Sequence, residues 1–216
     1  MTANRAMTTQ PAQKLTRAEK GQKIKADLFH AAAKVVGEVG YANALVSLIT
    51  ANAKVAQGTF YNHFDSRQDL FDQLLPALGA ELLDFIRAQA HGAPDAIERE
   101  RRSFLSFFEF IKLKPEFYRI LYEAEVFAPR AFQMHMDRIA DAYIRTLERG
   151  FGNGEVVFSD RRQLEALAFS LMGARQYLCM RFARQDGQTV DLPDWVTESY
   201  MTLVTQGIYR LSAAAR

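Results

Sequence analysis

The chain has 216 residues, 49% of them hydrophobic and 24% charged, which is enough apolar material for a sizeable core and carries no signature of a disordered or fibrous protein. Its net charge of +2 hides a division: residues 1–67 hold nine Lys and Arg against four Asp and Glu, a balance of +5, and the remainder sums to −3. A single cysteine, Cys179, excludes an intrachain disulfide; with no run near ~18 uninterrupted apolar residues, a cytoplasmic protein without a membrane span is expected.

Residues 1–15 are small and polar, lack the apolar run of a leader peptide, and read as a flexible arm. Thr16 with Glu19 has capping-box spacing, and Ile24, Leu28, Ala31, Ala32, Val35 and Val39 follow at steps of three and four, predicting a first helix that ends at Gly40. Two short helices are expected at 45–52 and 57–63. Ser66 with Asp69 opens a long one to 89, Pro94 another to 112, Pro115 a short aromatic one, and Pro129 a further one to 149. The glycines at 150, 152 and 154 mark a flexible connection, and 155–158 is the one short apolar run that resembles a strand. Helices at 160–184 and 191–212, the last opened by Asp191 with Asp194, complete an all-α fold of about nine helices.

Within residues 40–64, two helices of about two turns are joined by a tight turn near 52–55, with Val46, Ile49, Ala53, Val55, Phe60 and Phe64 spaced to pack on the first helix. Such a helix-turn-helix projects its second helix, which matches the width of a DNA major groove. The set running from Ile24, Leu28 and Ala31 through Gly40-Tyr41, Val46, Ile49, Ala53 and Val55 to Gly58-Thr59-Phe60-Tyr61-Asn62-His63-Phe64 and Ser66-Arg67-Gln68-Asp69-Leu70 resembles the DNA-binding domain of the tetracycline-repressor-like (TetR) family. The resemblance spans about residues 17–75. It implies a DNA-binding head at 16–65 and a helical effector-binding and dimerisation body at 66–216.

On these positions the resemblance implies that Gln57, Gly58, Thr59, Tyr61, Asn62 and His63 face DNA. Gln57 is the candidate base reader, because a carboxamide can pair bidentately with adenine. Thr59, Tyr61 and Arg67 are candidate phosphate contacts, with Ser47 and Thr50 on the preceding helix toward the same strand. Lys54 stands where the family has glycine, so any positive φ there carries strain, although a lysine can also reach phosphate. Ala44 and Ala56 replace the usual Ser or Thr caps, each loss worth about 0.5–2 kcal/mol.

The body is crowded with aromatics between Phe104 and Tyr143. One reading is a packed helical core; the other, implied by the resemblance, is a small-molecule cavity walled by helices four to eight, lined by Phe107, Phe108, Phe117, Leu121, Tyr122, Phe127, Met136, Tyr143, Met172 and Arg175. Arg175 shares an apolar helix face with Leu164, Ala168, Leu171, Leu178 and Phe182, where an unpaired charge is costly. It either forms an ion pair with Glu123, Glu125 or a partner subunit, or receives an acidic group of the effector. Met172, Cys179, Trp195, Tyr200, Leu203, Val204, Ile208 and Leu211 on the last two helices supply a homodimer surface, which lets two reading helices bind a palindromic double-stranded operator.

An enzyme is the main rival. His30, His63, His91 and His135 are scattered without metal-ligand spacing, no phosphate-binding loop occurs, and Cys179 reads as a core thiol, so neither catalysis nor a cofactor is expected. A second rival is a helical small-molecule-binding protein with weakened DNA binding, motivated by Lys54 and the missing caps. The favoured function is a ligand-responsive transcriptional regulator, a repressor released from its operator by an apolar or aromatic effector.

Overall fold

In the computed structural model, which describes residues 16–208, α1 (Arg17–Asn43) begins at a complete capping box. Glu19 N–H donates to Thr16 Oγ1 at 3.2 Å, and Thr16 N–H donates to Glu19 Oε2 at 2.7 Å. The reciprocal pair satisfies two of the N–H groups that a helix start leaves open. Leu28, Ala31, Ala32 and Val35 are buried as their spacing predicts, while Ile24 and Val39 pack at the edge of the same core. The helix breaks at Gly40, whose φ of 79° and ψ of 165° fall in a region that is essentially glycine's alone.

There follow α2 (Val46–Asn52), α3 (Gln57–Tyr61), α4 (Arg67–Gln89), α5 (Ala96–Leu113), α6 (Glu116–Phe127), α7 (Pro129–Gly152), α8 (Arg161–Phe182) and α9 (Asp194–Gln206). The described residues thus form the expected all-α fold of nine helices, with a two-stranded hairpin that the periodicity did not reveal. Its strands, β1 (Arg184–Gln185) and β2 (Gln188–Thr189), pair antiparallel around Asp186 and Gly187, which have φ of 51° and 80°. Asp-Gly is the dipeptide that two-residue hairpins prefer.

Several boundaries differ from expectation. Helix α5 starts at an Asp95 cap, whose carboxylate accepts Glu98 N–H at 2.7 Å, and Pro94 stays outside. The glycine run is no flexible connection at its start: Gly150 and Gly152 continue α7, and Gly150 is buried because Val156 folds back over it, where a Cβ would come within 2.6 Å of the valine. Accordingly 155–158 forms no strand, and Glu155 instead accepts Ala96 N–H at 2.8 Å. Helix α9 starts behind Pro193 with no capping side chain, because Asp191 pairs with Lys112 at 2.5 Å. Helix α9 also ends at Gln206, short of the expected 212, where Gly207 takes φ of 76°; the arm at 1–15 and Leu211 lie outside the described residues.

One continuous core runs from Leu28 to Met201, so no gap in packing separates residue 65 from 66. Helix α1 lies against α6, and two glycines set their approach. A Cβ at Gly37 would come within 2.5 Å of Glu116 Cβ, and one at Gly40 would crowd Arg119 and Glu123. Arg119 Nη1 donates to the Glu38 carbonyl at 3.0 Å and Nε to Glu123 Oε1 at 2.6 Å; Glu123 Oε2 accepts Tyr41 N–H at 2.9 Å. Tyr41, fully buried, meets the edge of Phe71 at 4.8 Å and stacks on Phe127 at 6.0 Å. This joint ties the helix-turn-helix to the body.

On the body side, His135 of α7 is buried against Gly79 of α4 and the ring of Phe117. Burial, aided by the charge of Arg138, brings its pKa down to about 4 from an ordinary 6.5. The folded state therefore holds a neutral ring that the unfolded chain protonates below pH 6.5. Stability is fully present above that pH and is lost progressively as pH falls toward 4, by about 3 kcal/mol in all. Urea midpoints measured from pH 7 to pH 4 should show this decline, and His135→Gln should flatten the part of it that belongs to this ring.

Candidate functional site

The turn between α2 and α3 is closed by backbone bonds: Ala53 N–H donates to the Ile49 carbonyl at 2.9 Å and Val55 N–H to that of Thr50 at 3.0 Å. Lys54 adopts φ of 57°, the positive value that its place in the turn demands. A non-glycine residue there costs about 1–2 kcal/mol. The first residue before α2 is Leu45, not Ala44, which is instead buried; Ala56 does precede α3, and neither helix has a side-chain cap. Packing takes over the work of capping. Ile49, Phe60 and Phe64 are buried, Phe60 meets Phe64 at 5.4 Å, and Phe64 meets Phe29 of α1 edge-on at 5.2 Å. Val46, Ala53 and Val55 pack partly buried on this core.

With Phe60 held inward, Gln57, Gly58, Tyr61 and Asn62 are exposed on α3 and its end, and Ser47 and Lys54 are exposed beside them. Thr59 is half-buried. His63 is half-buried too, with its ring beside Gly21 of α1. Thr50 leaves the expected DNA-facing set: it is buried, and its hydroxyl donates back to the carbonyls of Val46 at 2.9 Å and Ser47 at 3.2 Å. Arg67 is the first residue of α4, half-buried, with Nη1 3.5 Å from the Ala42 carbonyl and its guanidinium 5.5 Å from the Phe71 ring centre. Its remaining donors can still meet a phosphate. One basic group that the spacing did not single out joins this end: Lys25 sits 5.3 Å from the Phe64 ring and donates to Gln73 at 3.2 Å.

The aromatic body is closed rather than open. Phe107, Phe108, Phe117 and Leu121 are buried, Met136, Tyr143 and Met172 are half-buried, and the half-buried Tyr122 donates its hydroxyl to the Gln176 carbonyl at 2.9 Å. Rings meet rings: Phe104 stacks on Tyr200 at 3.9 Å, Phe107 meets Phe108 at 5.3 Å and Phe110 meets Phe117 at 5.3 Å. Two grooves lie at the surface, one along α9 from Trp195 to Ile208 and one between α7 and α8 at Asp137, Arg161 and Phe169. The aromatic side chains expected to line a cavity pack against one another. Phe127 leaves its lining altogether, because it is 39% exposed and stacks on Tyr41 at the joint.

Arg175 is buried, and its partner is neither Glu123 nor Glu125 but Glu100 of α5, at 2.8 Å. Glu123 is already engaged by Arg119 and Tyr41. Burial opposes the charge on Arg175, but Tyr143, Glu100 and Tyr200 outweigh it and hold the guanidinium above its ordinary pKa. On the expected dimer surface Trp195, Leu203, Val204 and Ile208 are exposed, and Phe169, Tyr177 and Met180 of α8 join them. Cys179 and Tyr200 face inward instead; Cys179 is buried, which pushes its thiol up to about 11, and Tyr200 donates to Glu100.

Residues 28–74 match the family model described as bacterial regulatory proteins, tetR family. A segment of 68 residues is 37% identical to the uncharacterized HTH-type transcriptional regulator YvdT of Bacillus subtilis, and this match covers 32% of the chain and 35% of that relative. Over nearly the whole chain the likeness is one of fold. The transcriptional regulator FadR from Bacillus subtilis, solved in complex with stearoyl-CoA, superposes with a TM-score of 0.68 at 18% identity over 85% of this chain and 99% of its own. The fatty acid degradation regulator FadR from Bacillus halodurans gives 0.68 at 20% identity over 91% and 98%. These relatives are transcriptional regulators, not enzymes. Residues 28–74 thus match the tetR family model and hold a helix-turn-helix, on a chain that shares its all-α fold with these transcriptional regulators.

Proposed function

We propose that the chain is a homodimeric, cytoplasmic, ligand-responsive repressor that binds a palindromic operator and leaves it when a small apolar effector binds the body. The observation that carries the reading is a short helix, α3, which Phe60 pins to the core while Gln57, Gly58, Tyr61 and Asn62 stay exposed. A single helix of five residues reads few bases. Two heads joined through the exposed apolar faces of α8 and α9 would read both half-sites and fix their spacing.

Effector response is supported by the route from body to head. Helix α6 carries Arg119 and Glu123, which grip α1 just before the helix-turn-helix, so a shift of α6 moves the reading helices. The effector must bind the displaced arrangement better than the closed one, and only that difference shifts the population. The closed aromatic block and the stearoyl-CoA held by the FadR neighbour favour an effector with a long apolar part.

The test is binding to a palindromic operator selected from random DNA and followed by fluorescence anisotropy. Arg67→Ala should weaken every sequence alike and lower the salt slope by about 1, because it removes a phosphate contact. Gln57→Ala should cost about 1–3 kcal/mol at one base position and relax preference there. Loss confined to certain sequences on Arg67→Ala contradicts the assignment.

A further inference from the structure

We propose that Glu100 occupies the place of the effector's acid group on Arg175, and that an amphiphile with an anionic head and an apolar tail displaces it. This rests on the effector-responsive reading above and adds the chemistry of the head group.

Arg175 is 4% exposed, yet Glu100, its one carboxylate partner among the described residues, is bound one-handed. Nη2 donates to Glu100 Oε1 at 2.8 Å, and Nη1 donates to Tyr200 Oη at 3.2 Å and the Leu171 carbonyl at 3.3 Å. The Nε–H is buried without an acceptor. A guanidinium presents a planar fork that a carboxylate or phosphate fills with two parallel bonds, and Glu100 fills half of it. That same Oε1 also accepts the Tyr200 hydroxyl at 2.5 Å. Around the guanidinium stand the rings of Phe104, Tyr143 and Tyr200, at 5.5, 5.0 and 5.6 Å. These soften the charge without neutralising it.

The two partners differ in their access to water. The Glu100 side chain is 16% exposed and that of Arg175 only 5%. Turning Glu100 outward rehydrates a carboxylate at the rim of α5, whereas Arg175 is left as a buried, unpaired cation that a second anion relieves. Arg99 and Arg101 flank Glu100 in the chain and favour anions at that rim, while Arg102 is paired with Glu98 at 2.8 Å. The tail enters the aromatic block beside the half-buried Tyr143, which requires the Phe104–Tyr200 stack to part. Displacement frees α5 from Arg175 of α8 and Tyr200 of α9, and so couples head-group capture to the helices that carry the apolar dimer face.

A carboxylate and a phosphate share this chemistry, and the experiment separates their sources. Calorimetric titration of the full chain with dodecanoate, dodecanol and dodecanoyl-CoA should show dodecanoate binding at least about tenfold more tightly than dodecanol. Glu100→Gln, which removes the internal competitor, should tighten dodecanoate about tenfold further and leave dodecanol unchanged, and dodecanoate should raise the unfolding midpoint of this variant more than that of the parent. Glu100→Asp should act in the same direction and serves if the glutamine variant folds poorly. The same dependence for dodecanoyl-CoA but not dodecanoate assigns the head to phosphate and upholds the exchange. Equal binding of dodecanoate and dodecanol, with no anion responding to either Glu100 variant, overturns it. If operator DNA still binds and an uncharged effector still releases it, the proposed function stands without this inference; absence of operator binding is the failure of that function instead.

Discussion

Replacing Phe60 by alanine is expected to destabilise the protein by about 3–5 kcal/mol and to abolish operator binding. Phe60 is fully buried in a helix of five residues that has no capping side chain at its start. So short a helix has no stability of its own, because nucleation costs more than one or two backbone bonds return. What holds α3 in place is the contact of Phe60 with Phe64, and of Phe64 with Phe29 on α1. Alanine leaves a cavity at that contact, and the exposed groups of α3 lose their common orientation. Chemical unfolding and DNA anisotropy on the same sample test both halves. A Phe60→Ala protein that melts like the parent and still binds its operator shows that α3 is held by something else.

Gly40→Val is expected to cost about 2–6 kcal/mol, from two separate penalties. The backbone at Gly40, with φ of 79° and ψ of 165°, costs a residue with a side chain about 1–3 kcal/mol. A Cβ there would also lie 2.7 Å from Arg119 Nη2 and 2.9 Å from Glu123 Oε2, adding an overpacking cost of about 1–3 kcal/mol. The variant that survives folding should have its α1 to α6 grip loosened, so operator binding should respond less to effector than in the parent. Unfolding midpoints report the first effect, and the effector-induced loss of DNA anisotropy reports the second.

Much of the head was legible in the residues because its determinants are local. Thr16 and Glu19 lie three apart and form the cap that their spacing implies, and Lys54 takes the positive φ that its place in the turn imposes. Thr50 departs from the outward-facing expectation for an equally local reason. A threonine in a helix can return its hydroxyl to a carbonyl one turn back, and helical position alone does not distinguish that from an outward group. The body was less legible, because its decisive contacts join distant segments. Arg175 was marked as a charge needing a partner, but Glu100 lies 75 residues away, and the nearer glutamates at 123 and 125 were the natural candidates. Asp191 looked like a helix cap until Lys112, 79 residues away, engaged it. The joint did leave a trace: Gly37 and Gly40 sit three apart near the end of an otherwise good helix former, which marks a close approach by another element. Whether a row of aromatics packs together or opens around a guest depends on side-chain geometry that periodicity does not contain.

The most direct test of the central claim is the salt dependence of binding to a palindromic DNA fragment. For a dimeric operator-binding protein log K should fall linearly with log salt concentration, with a slope of about −0.9 for each phosphate contacted, and a fragment carrying one half-site should bind far more weakly. Binding that ignores both salt and the second half-site, or no binding to any selected duplex, contradicts it.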